Sequence, residues 1–325
     1  MNTNIPNITK MTMVALIASI VAAYSPSALG ADDTAVSTKS TAEEVKKTET
    51  KKAEPKSQES KATESTIQSA VEKSAADKRA QLLKDAQSAL EETNKAVQAL
   101  DQGKKDEALA ALEKVTGKLD LIIARDPALA LAPVGVSTII RDLYASPDSA
   151  NDAVKRAKEY LGNGKVQQVR GLLSALASEA EVQVTNIPLA TYPPAIKAIA
   201  PLIDAGKNQE AKAALLAALN TLVIESYVTP LPNIRAKAIL AEAEKLAEKS
   251  TRTDDENKKL HDQVEAARNE LKLGEVLGYG TKDDYKPLYT QLDDIQKKTE
   301  GGKSGKGFFD TIKDSLKSFK NHLSA

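Results

Sequence analysis

Along most of the chain the apolar side chains recur every three to four residues, the spacing of one face of an α-helix. Leu83, Leu90 and Val97 form a heptad row, and Ala86, Thr93 and Leu100 follow it three residues later. Both rows fall on one stripe, which predicts a helix from about residue 76 to 101 whose stripe suits a core or bundle seam, or a coiled-coil partner. Further on, Pro232 suits the first turn of a helix through Ile234 to Ala247. Thr253-Asp254-Asp255-Glu256 has the form of a capping box and opens a helix reaching about Leu277. Gly278-Tyr279-Gly280 breaks the chain, Thr281 caps the next helix, and Tyr285, Leu288, Leu292 and Ile295 share its face. No long stretch is read as alternating with period two. The expected fold is therefore all-α with minimal sheet.

A repeated unit sharpens this picture. Gly103-Lys104, Gly164-Lys165 and Gly206-Lys207 are each followed by apolar residues at the same offsets. The three sets are Ala108, Leu112, Val115 and Leu119; Val169, Leu173, Leu176 and Ala180; and Ala211, Leu215, Ala218 and Leu222. Steps of four, three and four keep each set on one helical face. At one further shared offset stand Pro127, Pro188 and Pro230, in a chain with only 13 prolines. Glycine at positive φ can close one helix, and proline stops the next because it lacks a donor and restricts its predecessor. Each unit thus reads as a helical hairpin followed by an extended, Pro-containing connector. The stretch from Ala99 to Leu109 is similar to the turn of tetratricopeptide repeats, but the uneven glycine spacing argues for a compact bundle of hairpins instead of a regular solenoid.

The two ends follow other patterns. Lys10, an apolar run from Met11 to Ala23 and the small residues Ala28 and Gly30 have the layout of a secretory signal peptide, residues 1–30, cut between Gly30 and Ala31. The run is shorter than the ~20 residues that span a bilayer, so cleavage is expected in preference to an uncleaved anchor, and a periplasmic location follows. Residues 31–75 mix Lys, Glu, Thr, Ser and Gln with few large apolar side chains, and read as a disordered charged linker before a helical domain over 76–300. Residues 301–325 form a Gly/Lys hinge and an amphipathic tail helix. Phe308, Phe309, Ile312, Leu316 and Phe319 make its apolar stripe, and Lys313, Lys317 and Lys320 its cationic side. All three phenylalanines of the chain lie there. Such a stripe can pack on its own bundle, on a second subunit in a homo-oligomer, or on an anionic membrane.

Composition then removes chemistries. With no cysteine, and only His261 and His322 as histidines, thiolate, iron–sulfur and multi-histidine metal centres are excluded, and neither a metal site nor a cofactor is expected. The 45 basic residues are matched by 45 acidic ones, which argues against nucleic acid as a partner. Glu300 to Gly307 looks superficially like a phosphate loop, yet Glu300 occupies the place of its first glycine and Gly307 that of its Ser or Thr. Ser304 fails the nucleophile-elbow pattern because Lys306 replaces the closing glycine. The pairs Asp254-Asp255, Asp283-Asp284 and Asp293-Asp294 point in different directions on a helix, and two of them suit helix starts better than acid–base work. His261, beside Asp262, reads as solvated. Tyr144, Tyr192, Tyr227 and Tyr279 recur at connectors, where they either pack on helix ends or line a groove for apolar ligands.

The run Tyr192-Pro193-Pro194-Ala195-Ile196-Lys197, continuing to Ala211, and the run from Val228 through Thr229-Pro230-Leu231-Pro232 to Leu240 resemble the YfdX family of bacterial exported proteins. The likeness extends over roughly residues 80 to 300 and is most specific from about 190 to 248. It implies an all-helical periplasmic protein linked to stress tolerance, in a family without an established catalytic motif. The expectation is a non-catalytic protein that binds small apolar or amphiphilic molecules or unfolded clients. An envelope role, with the tail stripe on a membrane, is the alternative.

Overall fold

The computed structural model describes residues 57–319. The expected signal peptide, its cut site, the first part of the charged linker, Lys320 and His322 lie outside the described residues. Within them helix dominates, as the apolar spacing predicts. Its first elements are α1 (Gln58–Ala62) and α2 (Glu64–Arg79). These occupy residues assigned above to the linker, and the reason is a row that composition hides. Ile67, Val71 and Ala75 stand four residues apart and are buried, the first two in a small cluster with Ala180 and Leu231.

After a short link come α3 (Lys84–Asp101) and α4 (Lys105–Arg125). The single helix expected over about 76–101 is thus two, because Leu83 is extended (φ −92°, ψ 114°) and its N–H donates to Pro133 O at 3.0 Å. Gly103, at φ 71°, closes α3 and starts the antiparallel return of α4. Strand β1 (Leu131–Arg141) follows, then α5 (Pro147–Gly162), α6 (Val166–Ala175) and strand β2 (Glu179–Pro188). The chain continues through α7 (Tyr192–Lys197), α8 (Ala200–Asp204), α9 (Asn208–Leu219) and strand β3 (Val223–Pro230). It ends in α10 (Leu231–Ala247), α11 (Asp254–Val276), α12 (Lys282–Thr299) and α13 (Asp310–Ser318).

The extended connectors of the three repeats are therefore strands. They pair as an antiparallel sheet in the order β1-β2-β3, with Val136 opposite Val184 and Val184 opposite Glu225. In β2 the buried Ala180, Val182 and Val184 alternate with the partly exposed Glu179, Glu181 and Gln183, the period-two signature of a half-covered strand. The second and third repeats consequently end their helices early. Ala180 lies in β2 and Leu222 lies past the end of α9, off the helical faces on which the repeat pattern puts them. Pro133 cannot donate to a ladder, and β1 accommodates it at an edge, where the pairing slips between Pro133 and Gly135.

Besides that small cluster, two larger apolar cores form among the described residues. The first joins α3, α4, α7, α8 and α9 to the start of β1 and the end of β2, through Ala86, Ala96, Leu119, Ile187, Ile203 and Leu215 among others. The second joins α10 to α13 through Leu240, Leu271, Tyr285, Leu292, Phe309 and Ile312. Both predicted caps form: Thr253 with Glu256, and Thr281 with Asp284, exchange side-chain and backbone hydrogen bonds at the starts of α11 and α12. Gly274 permits the approach of α12, since a Cβ there would stand 2.5 Å from the Tyr285 hydroxyl.

Candidate functional site

The largest fully buried side chain is charged. Arg235 lies on α10 four residues after Leu231 and four before Ile239, so its helix carries it into an apolar row, where it is 1% exposed. An ion in that position requires partners. Its Nη2 donates to Asp142 Oδ2 at 2.6 Å, while Nη1 lies 3.5 Å from Ser178 Oγ and 3.8 Å from Glu270 Oε2. Ser60 on α1 donates its hydroxyl to Glu270 on α11. Ser178 Oγ donates to Asp142 Oδ1 at 3.2 Å, and its backbone N–H donates to Tyr279 Oη at 2.8 Å. Tyr279 in turn donates to Glu179 Oε2 at 3.0 Å. Burial pushes the Tyr279 hydroxyl far above the usual phenol range, so it remains a donor throughout ordinary pH. On the sheet, Gln183 first, then Arg141 and Ser226, hold the Glu181 carboxyl down to about 2. The polar chain thus ties α1, the end of β1, the start of β2, α10 and α11 together around Arg235.

Beside this chain opens a cleft of about 370 Å³, within the range of small-molecule sites. Ser57, Glu59 and Ser60 form one wall at the start of α1. The loop after β1 adds Leu143, Tyr144 and Ala145 and runs into Pro147, the first residue of α5. Helix α11 contributes Asp262, Glu265, Ala266, Glu270 and Leu273, and Arg235 completes the lining. Tyr144 is 48% exposed, a large ring at an apolar and acidic wall. The arrangement offers apolar contact, carboxylates and one deep guanidinium. Among the described residues there is no cluster able to hold a metal ion.

The four connector tyrosines do not share a groove. Only Tyr144 reaches this cleft. Tyr192 is buried in the first core and donates to Thr93 Oγ1 at 3.1 Å, Tyr227 lies on β3 with Lys78 Nζ 3.4 Å from its ring centroid, and Tyr279 is taken up by Ser178 and Glu179. Only Tyr227 stands in a strand; Tyr144 follows β1, Tyr192 opens α7 and Tyr279 lies between α11 and α12, so the fold carries the four rings to different places.

The tail stripe is covered by the protein itself. Phe309 and Ile312 are fully buried in the second core, with Phe308, Leu316 and Phe319 packed against it. The Phe319 ring lies 4.9 Å from that of Tyr285, and Lys313 Nζ bonds Glu244 Oε1 at 2.7 Å. Asp254 and Asp255, like Asp283 and Asp284, stand in first helical turns, whereas Asp293 pairs with Arg268 at 2.6 Å. His261 is exposed. Sequence reasoning missed Arg235, Asp142 and Glu270. The available signal was a lone arginine at fourfold spacing between Leu231 and Ile239.

The fold defines a helix-rich protein whose repeated hairpins feed a small antiparallel sheet, with a polar cleft beside that sheet. Residues 89–228 match the model of the YfdX family, described as YfdX protein. The match covers α4 to α9 and most of α3 and β3, and stops before α10, short of the reach suggested by the resemblance. A solved structure of YfdX from Salmonella Typhi aligns at 16% identity over 46% of this chain and 93% of its own, with a TM-score of 0.32. No curated protein matches significantly.

Proposed function

We propose that this is an exported, non-catalytic binding protein, and that small amphiphilic molecules occupy the cleft at Tyr144. The supporting observation is the mixed wall of that cleft, in which a half-exposed ring, Leu143, Ala266 and Leu273 stand beside carboxylates and Arg235. Small-molecule sites have this character: mostly apolar surface with a few fixed polar groups. The nearby acids support binding over acid–base chemistry, since Asp142 and Glu270 both flank one guanidinium. An envelope role through the tail is less favoured, because Phe309 and Ile312 would have to leave a core where each is worth about 1.5–3 kcal/mol.

The test is a thermal-shift and tyrosine-emission screen of amphiphiles on the parent and on Tyr144→Ala. At a hundredfold excess over Kd a ligand adds about 2.7 kcal/mol, which for a chain of this size raises Tm by about 5–10 °C. The expected result is such a shift in the parent and its loss in the variant. A broad screen with no shift overturns the proposal.

A further inference from the structure

The second repeat folds like the other two but packs differently. The hairpins α3–α4 and α8–α9, which turn at Gly103 and Gly206, lie against each other in the first core. There the residues at the ninth and twelfth positions after each glycine are buried: Leu112 and Val115 in one hairpin, Leu215 and Ala218 in the other. The hairpin α5–α6 turns at Gly164 with the same positive φ, but α6 packs chiefly on α5, and α5 on α11. Its Val169 is buried as Ala108 and Ala211 are, whereas Leu173 at the ninth position is 48% exposed and Leu176 at the twelfth only half-buried. Val166, two turns before Leu173 on the same helical face, is 58% exposed, and Leu161 at the end of α5 is 48% exposed.

Composition singles out the same face. Most of the ten residues of α6 are exposed, yet Arg170 is its only charge. A solvated helix carries charged and polar residues on its wet side, whereas the centre of a protein interface is depleted of charge. The fold thus leaves in water the apolar row that it covers in the other two repeats.

We infer that a second copy of this chain covers the row, hairpin α5–α6 on hairpin α5–α6 about a two-fold axis, much as α3–α4 covers α8–α9 within one chain. Chemistry and size both select this occupant. A two-fold contact sets a surface against itself, which a face almost free of charge tolerates and a face of like charges does not. Helices of 16 and 10 residues are about 24 Å and 15 Å long. At about 10 Å of width each they offer roughly 400 Å² in outline and about 500 Å² with side-chain relief, so two copies bury about 1,000 Å², the lower bound for a specific pair. A contact of that size gives a reversible dimer, with Kd of about 10–100 μM.

Sedimentation velocity of the full chain from about 1 to 300 μM tests the pairing. The expected result is one copy at the lowest concentration and two at the highest, with no growth beyond two because a two-fold contact closes on itself. Leu173→Glu and Val166→Glu should each weaken the dimer about tenfold or more. Both positions are exposed, so the melting temperature of the dilute chain should stay that of the parent. Leu121→Glu on α4 and Ile224→Glu on β3, at exposed apolar positions outside the hairpin, should leave the pairing unchanged. A parent that stays single throughout, masses that climb past two copies, or pairing that survives both hairpin substitutions overturns the inference.

Discussion

The two cores are built from different materials. In the first, α3 and α4 meet through Ala86, Ala89, Ala96, Ala99, Ala108 and Ala111, and Tyr192 is the one aromatic among its buried described residues. In the second, Tyr285 and Phe309 are buried and Tyr289, Phe308 and Phe319 pack beside them. The first core lies almost wholly within residues 89–228, the stretch that carries the family pattern, and the second lies after it. The contrast teaches how each pack gains specificity. Alanine rows let two helix backbones approach closely, whereas a few large rings anchor the second pack and fold the tail onto it. The Arg235 chain stands where sheet and second pack meet, and the cleft opens on its edge.

Substitutions can break or sharpen this comparison. The largest effect is expected at the junction: Arg235→Ala removes the buried guanidinium that Asp142 and Glu270 flank and should cost about 3–5 kcal/mol in urea unfolding. Adding Asp142→Asn and Glu270→Gln to that variant should restore part of the loss. Phe309→Ala should cost about 3–4 kcal/mol and release the tail, which limited proteolysis after Lys306 would report. Ala89→Leu makes the opposite change in the first pack and should cost about 1–3 kcal/mol by forcing α3 from its neighbours. A neutral Ala89→Leu would contradict the close-packing reading of that core.

The smallest effect concerns the sheet. The folded-state pKa of Glu181 is held down to about 2, below the ordinary carboxylate value, so its contribution is whole above about pH 4.5 and is lost as pH falls toward 2. Glu181→Gln should therefore cost about 1 kcal/mol at pH 7, and its melting curve should converge with that of the parent near pH 2. A gap that persists unchanged over that range would show that the carboxylate charge is not what Gln183, Arg141 and Ser226 hold.

Much of the helical content is legible in the sequence because its signals are local. Gly103, Gly164 and Gly206 all take the positive φ that the repeat implies, and Thr253 and Thr281 cap as their sequences indicate. The sheet is only partly legible. Glu179 to Val184 alternates for a few residues, but Pro188 and Pro230 suggest connectors, and pairing is a long-range property that no short window contains. Residues 57–75 escape a reading by composition because three well-spaced side chains, Ile67, Val71 and Ala75, suffice once a sheet exists to receive them. The candidate site is least legible. Tyr144 stands out in the sequence as a connector tyrosine, but its companions Arg235, Glu270 and Glu59 come from α10, α11 and α1, and only the folded chain gathers them.

The central claim is that the Tyr144 cleft is where this protein holds a small ligand. A crystal structure of the full chain with the amphiphile that raises its melting temperature most tests it most directly. The expected result is density in the cleft lined by Leu143, Tyr144, Ala266 and Leu273. Density lodged elsewhere, on the open face of the sheet or beneath α13, with the Tyr144 cleft empty, would contradict it.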